Sequence, residues 1–321
     1  MVRRGDIQAL LERFGRGEVA AAARLISVLE DGGEDAERVL DAIFPRTGNA
    51  WRVGFTGPPG AGKSSLVHRF TGRMRTRGHR IGIIAVDPTS PFTGGALLGD
   101  RIRMQSLSAD PEVFVRSLAS RGSLGGISNC TDETADLLDA FGKDLVLIET
   151  VGVGQSELEI AEKAHTVVVV LVPESGDGIQ AMKAGLMEIG DVFVMNKADH
   201  EQAAGAATEL EETLRLKDVA EDSWTPRVVL TSAREDTGID DLVEVVIEHR
   251  KYLEERGLIE KMRRRILHAR VRNAIMDRME RRLRESPSVR ELLERRMESV
   301  YRGEMSPYRV VRELEELVTI R

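Results

Sequence analysis

The sequence predicts an α/β fold: a mainly parallel sheet covered by helices, with a helical segment before it and a helical arm after it. Three observations carry this reading. Seven short apolar runs, rich in β-branched residues and lacking alternation, lie ten or more residues apart, which is the pattern of parallel strands buried on both faces. The first run leads straight into a glycine-rich loop and then a helical stretch. The charge balance also changes sign near residue 250, with a net +7 over residues 249–321 and a net −14 over the rest.

The elements follow in chain order. Ile7, Leu10, Leu11 and Phe14, then Val19 to Leu29, have helical spacing that ends at Gly32-Gly33, and a short helix from Glu34 to Ile43 is stopped by Pro45. Residues 1–45 are therefore expected to form an N-terminal helical segment. The strand candidates are Arg52–Phe55, Ile81–Val86, Val113–Val115, Leu145–Ile148, Thr166–Val172, Val192–Met195 and Val228–Leu230, which place the sheet domain at 46–250. Beyond it, residues 251–321 are rich in Leu, Met, Arg and Glu. Met262, Ile266 and Ala269, then Met276, Met279 and Leu283, recur at helical spacing. A single helix over 249–284 would be about 54 Å long. Ser286-Pro287 and Ser306-Pro307 read as N-cap and first-turn pairs of two shorter helices.

Composition narrows the class. With 41% apolar and 31% charged residues in 321, and no apolar run of membrane-spanning length, a soluble globular protein without a membrane span is expected. Forty-six basic against fifty-three acidic residues give −7, which argues against a nucleic-acid binder held by a positive field. The arginines of the arm (Arg263, Arg264, Arg265, Arg281, Arg282) read as a solvated face, with RNA binding the weaker alternative. The lone Cys130 excludes a Cys-rich metal scaffold, and the N-terminal stretch has neither a signal-peptide core nor transit-peptide character, so a cytoplasmic protein is expected.

The chemistry begins at Gly57-Pro58-Pro59-Gly60-Ala61-Gly62-Lys63-Ser64-Ser65. Its place between a strand and a helix is the context that the phosphate-loop motif requires, so the fold is a P-loop NTPase. Gly57, Gly60 and Gly62 let backbone N–H groups converge on phosphate oxygens, Lys63 bridges the β- and γ-phosphates, and Ser64 can ligate Mg²⁺. Strand Val192–Met195 ends in Asn196-Lys197-Ala198-Asp199 and the next strand in Thr231-Ser232-Ala233. Alone, the first tetrapeptide reads as a helix start capped by Asp. Two elements before Thr-Ser-Ala and after a phosphate loop, Asp199 can accept the N1–H and N2–H₂ of guanine, Lys197 can lie on the base, Asn196 can tie the loops and the Ala233 N–H can meet O6. The expected ligands are GTP and GDP.

Asp87 and Asp100, thirteen residues apart around a Pro/Gly/Thr loop, could converge on a metal–water shell or could simply cap turns. Glu149 ends a strand where such proteins place an acid on the Mg²⁺ shell, and the Gly152 N–H is positioned to meet the γ-phosphate. Val153, not glutamine, follows Gly152, and Gln155 lies two further on, so slow intrinsic hydrolysis is expected.

These residues resemble one family closely: the bacterial MeaB/ArgK GTPases, chaperones associated with methylmalonyl-CoA mutase, within the SIMIBI class of P-loop GTPases. The resemblance is carried by G-P-P-G-A-G-K-S-S at 57–65, V-D-P-T-S-P-F-T-G-G-A-L-L-G-D-R-I-R-M at 86–104, E-T-V-G-V-G-Q-S-E at 149–157, V-P-E-S-G-D-G-I-Q-A-M-K at 172–183 and N-K-A-D at 196–199. It implies a GTPase with Mg²⁺ that binds an adenosylcobalamin-dependent acyl-CoA mutase, gates loading of intact cofactor and promotes expulsion of inactivated cofactor, without binding cobalamin directly. The cobalamin adenosyltransferase is a further implied partner, and the C-terminal helices are implied to form a homodimer. The family's catalytic and metal positions carry over to Lys63, Ser64, Asp87, Asp100 and Glu149. Its extra switch carries over to Asp177, Gln180 and Lys183, with Glu174 departing from a commoner glycine; the residues alone support only a strand-to-helix connection with mobile glycines. A nickel-insertion GTPase, short of Cys and His ligands, and a kinase-like regulator of transport, lacking an acceptor signature, are the alternatives, while a protein-targeting GTPase would need a Met-rich domain.

Overall fold

The computed structural model describes residues 4–87, 107–119, 130–152, 156–173, 185–216 and 223–319. Helices α1 (Arg4–Gly15), α2 (Val19–Asp31) and α3 (Gly33–Ile43) precede strand β1 (Trp51–Thr56) and helix α4 (Lys63–Thr76). Then come β2 (Ile81–Asp87), β3 (Val113–Ala119), α5 (Thr131–Ala140), β4 (Leu145–Glu149) and the short α6 (Ser156–Glu159). The second half holds β5 (Thr166–Leu171), α7 (Leu186–Ile189), β6 (Val192–Met195), α8 (Ala203–Arg215), β7 (Arg227–Leu230) and α9 (Ile239–Glu255). All seven expected strands are present.

They form one sheet in the order β3-β2-β4-β1-β5-β6-β7, and every pairing is parallel. The strand order reverses around β1. In an open α/β sheet that switch point opens a ligand crevice at the carboxyl edge. Successive side chains point to opposite faces, and both faces are covered, which is why the runs show no alternation. Val53, Phe55, Leu147 and Val170 pack with Leu66, Phe70 and Met74 of α4 and Leu242 and Val246 of α9. Val146, Ile148, Val169 and Met195 pack on the other face with Leu137 and Leu138 of α5 and Leu210 of α8. The N-terminal helices join that second core, with the Phe14 ring 5.2 Å from that of Phe141 between centroids and tilted 33° to it.

Two details differ from expectation. Strand β3 continues four residues past Val115 because Arg116, although polar, is taken up by Glu30 and Ser27 of α2. The stretch 249–284 is not one helix. Gly257, at φ +61, ends α9 in the left-handed conformation that favours glycine, and α10 (Leu258–Glu285) starts afresh. The shorter helices α11 (Pro287–Tyr301) and α12 (Pro307–Thr319) begin where the two Ser-Pro pairs predict, and the Ser286 hydroxyl accepts the Val289 N–H at 3.4 Å.

The chain divides into two compact units, Met1–Arg263 and Arg264–Arg321. The first holds the sheet. In the second, Leu283, Val289, Leu293, Val311 and Leu314 line an apolar groove of about 710 Å³, and Val271, Ile275, Met276 and Met279 are exposed. No described helix is long and apolar enough to cross a membrane.

Candidate functional site

The loop between β1 and α4 lies at the strand-order reversal. Gly62 precedes α4 at φ +86, and a Cβ there would lie 2.5 Å from Asn196 Nδ2, so this position needs glycine on two counts. Ala61 is buried, Ser65 is exposed, and Gly57 and Gly60 also have positive φ. Lys63 Nζ donates to the carbonyls of Gly57 at 2.7 Å and Pro58 at 3.0 Å, which holds the ammonium over the loop.

Three oxygen-bearing side chains gather on the α4 side of the sheet. Asp87 ends β2, Glu149 ends β4, and both are buried, at 3% and 5% exposure. The Ala85–Glu149 register sets the two strand ends side by side. The Ser64 hydroxyl donates to Glu149 Oε1 at 2.6 Å. Among the described residues no three His, Cys, Asp or Glu cluster as a self-sufficient metal site would. Two carboxylates and a hydroxyl, all hard oxygen donors beside a phosphate loop, fit Mg²⁺, which retains waters and takes further ligands from phosphate. Asp100 lies outside the described residues.

Gly152 crosses directly above Lys63. At φ +87, a Cβ on it would lie 2.4 Å from Lys63 Nζ and 2.6 Å from the Gly57 carbonyl oxygen. Its segment is tied to β1: the Thr150 N–H donates to Phe55 O at 3.0 Å and the Thr150 hydroxyl to Thr56 Oγ1 at 3.1 Å. Beyond it, Glu157 lies close enough to Lys63 to feel its charge, yet burial dominates and pushes its carboxyl above the usual range. Val153, Gly154 and Gln155 lie outside the described residues, as do Glu174, Asp177, Gln180 and Lys183.

Asn196 organises the other end. Its Nδ2 donates to Ala61 O at 2.8 Å, while its Oδ1 accepts from the Thr231 hydroxyl at 3.1 Å and the Ala233 N–H at 3.2 Å. One side chain thus joins the phosphate loop to the ends of β6 and β7. Lys197 sits at φ +58, a conformation uncommon for a side-chain-bearing residue, fixed by the Ala198 N–H donating to Thr231 O at 2.9 Å. The Ser232 hydroxyl donates to Asp199 Oδ1 at 2.7 Å, and this bond holds the Asp199 carboxyl below its ordinary range.

The structure therefore gathers Gly57, Gly60, Gly62, Lys63, Ser64, Asp87, Glu149 and Gly152 at one end, and Asn196, Lys197, Asp199, Ser232 and Ala233 at the other. Sequence reasoning missed Thr56, Thr150 and Thr231, which place these residues through hydroxyl bonds. Only their positions, each beside a motif residue, hint at that.

The profile of the family described as methylmalonyl Co-A mutase-associated GTPase MeaB matches residues 22–288. A relative from Pyrococcus abyssi is 49% identical over 271 residues, 84% of each chain. The GTPase ArgK of Escherichia coli is 37% identical over 270 residues, 82% of each. The mouse methylmalonic aciduria type A homolog, mitochondrial, is 35% identical over 262 residues, 81% of this chain and 63% of that protein. Among solved structures, a LAO/AO transport system kinase superposes with a TM-score of 0.76 at 27% identity, covering 99% of each chain. The sheet order and the phosphate loop agree with these likenesses, and the chain belongs to the MeaB/ArgK family of SIMIBI-class P-loop enzymes that hydrolyse GTP.

Proposed function

We propose that this GTPase serves an adenosylcobalamin-dependent acyl-CoA mutase, methylmalonyl-CoA mutase foremost, gating the loading of intact cofactor and the expulsion of inactivated cofactor. The observation that carries the reading is the family match over residues 22–288, supported by the mouse relative, whose name refers to methylmalonic aciduria. The chain handles the nucleotide and does not itself bind cobalamin. The cobalamin adenosyltransferase is a second partner, and the compartment is the cytoplasm.

In this reading Lys63 exchanges its bonds with the Gly57 and Pro58 carbonyls for oxygens of the β- and γ-phosphates, a short movement of a buried ammonium. Ser64, Asp87, Asp100 and Glu149 hold Mg²⁺, which when bound neutralises charge on the phosphate oxygens. The Gly152 N–H meets the γ-phosphate, so the triphosphate adds a contact to its segment that the diphosphate lacks. Asp199, kept ionised and oriented by Ser232, accepts from guanine N1–H and N2–H₂. Lys197 covers the base, and Ala233 offers the N–H for O6. Asp177, Gln180 and Lys183 carry the nucleotide state to the mutase.

Residues 1–45 form a lead-in packed on the sheet domain of 46–250, and residues 251–321 form the homodimer contact. The exposed apolar residues of α10 and the groove among Leu283, Leu293 and Val311 support that assignment.

Calorimetric titration of the chain into methylmalonyl-CoA mutase, with GDP and then with a non-hydrolysable GTP analogue, tests the pairing. Binding whose Kd differs between the two nucleotides is expected. No binding in either state, or equal Kd in both, overturns it.

A further inference from the structure

Residues 151–156 separate two points at which the chain is fastened to a single side chain. On one side the Thr150 hydroxyl donates to Thr56 Oγ1 at 3.1 Å; on the other, the Thr56 hydroxyl donates to the carbonyl of Glu157 at 3.4 Å. Both threonines are buried, at 0% and 2% exposure. The two bonds run in one direction, Thr150 to Thr56 to Glu157, so one rotor serves as acceptor and donor at once. Thr56 also immediately precedes Gly57, so whatever it grips is registered against the phosphate loop.

The face of β1 is shaped for this contact. Gly54 and Thr56 point to the same side. A Cβ at Gly54 would lie 2.3 Å from Ile160 Cγ1, so the absent side chain lets the stretch after Glu157 lie directly on the strand. Ile160 is fully buried there. Apolar packing brings the segment down onto β1, and the hydroxyl chain sets where it sits. Packing alone is non-directional and does not specify position along the strand.

We infer that Thr56 is a positioning residue for GTP hydrolysis: its hydroxyl fixes both ends of the span carrying Gly152 and so holds the Gly152 N–H over Lys63. The inference rests on the reading that this N–H meets the γ-phosphate. GDP lacks that phosphate, so its binding does not draw on the span. Loss of the hydroxyl therefore acts on the triphosphate and its hydrolysis, leaving diphosphate binding in place.

The test compares wild type, Thr56→Val and Thr56→Ser. Valine keeps the shape and removes both bonds, and serine keeps the hydroxyl. Steady-state hydrolysis gives kcat and KM, and fluorescent GDP gives Kd. Thr56→Val is expected to lose about tenfold in kcat, equivalent to about 1.4 kcal/mol, with GDP affinity within about twofold, and Thr56→Ser to recover most of the loss. Wild-type kcat in Thr56→Val, a parallel loss of GDP affinity, or a serine variant as slow as the valine one overturns it. If Thr56→Val does not fold, Thr150→Val removes one bond from outside β1; a smaller fall in kcat is expected, and an unchanged kcat contradicts the inference. The underlying reading is tested apart, by the ¹⁵N-labelled Gly152 amide of the wild type: a shift on binding a GTP analogue but not GDP supports it, and no shift removes it whatever Thr56 does.

Discussion

The Ser64 hydroxyl donates to Glu149 Oε1 at 2.6 Å, joining the first turn of α4 to the carboxyl end of β4. Two residues 85 positions apart in sequence, each assigned to Mg²⁺, are thus already within one hydrogen bond of each other. Glu149→Gln keeps the shape and can still accept from Ser64, but it removes a negative charge from the donor set. It is expected to lower kcat about a hundredfold and to raise the Mg²⁺ concentration needed for half-maximal hydrolysis. Titration of GTP turnover against Mg²⁺ checks this, and an unchanged midpoint would remove Glu149 from the metal shell.

Asp199→Asn is expected to move preference from GTP to XTP, because the amide can pair with the additional carbonyl of xanthine. Ser232→Ala, which removes the hydroxyl bonded to Asp199 at 2.7 Å, should weaken GDP binding by about fivefold, in line with about 1 kcal/mol for one such bond. Competition between GTP, XTP and ATP for each variant measures both effects. Retained GTP preference in Asp199→Asn would overturn the base assignment.

Gly62→Ala tests the link between the two ends of the site. The new methyl would lie 2.5 Å from Asn196 Nδ2, at a backbone angle unfavourable to any side chain. Displacing Asn196 releases Ala61, Thr231 and Ala233 together, so phosphate and base affinity should fall in the same variant. Equilibrium binding of GTP, GDP and inorganic pyrophosphate separates the contributions; a loss confined to phosphate would show that the ends are independent.

Two buried histidines set an acid limit on stability. Burial pushes His165 down to about 3 and His249 down to about 4, with Asp191 beside His249 at 3.5 Å not offsetting it. His165 Nδ1 accepts the Arg52 N–H at 3.1 Å, and His249 Nδ1 lies 2.9 Å from Thr166 Oγ1. Because the unfolded chain takes up these protons near pH 6.5 and the folded one only near 3 to 4, their contribution is complete above about pH 6.5 and is lost progressively as pH falls through that window. The urea midpoint should drop between pH 7 and pH 5, and less steeply in His249→Asn. Equal slopes would show that His249 does not titrate on unfolding.

Much of this was legible in the sequence. The strands were, because a strand covered on both faces has few polar positions to interrupt its apolar run, and the edge strand β7, with Arg227 and Leu230 exposed, still carries its Val-Val-Leu run; β3 was short where Arg116 finds partners on α2. The phosphate loop and the Asn-Lys-Ala-Asp turn were legible because their chemistry is local. The role of Asn196 as the tie between them was not, since its bond to Ala61 spans 135 positions and depends on which strands become neighbours. The hydroxyls of Thr56, Thr150 and Thr231 were invisible for the same reason: threonine suits any strand end. The break at Gly257 was available as a residue, but the apolar spacing runs from Met262 onward, beyond it, and carries no sign of where the helix starts.

The most direct test of the account is the GTP turnover rate of the purified chain with and without an adenosylcobalamin-dependent methylmalonyl-CoA mutase. A slow intrinsic rate raised several-fold by the mutase is the predicted result. A rate indifferent to saturating mutase would contradict the proposed partnership and leave a GTPase whose client is another protein.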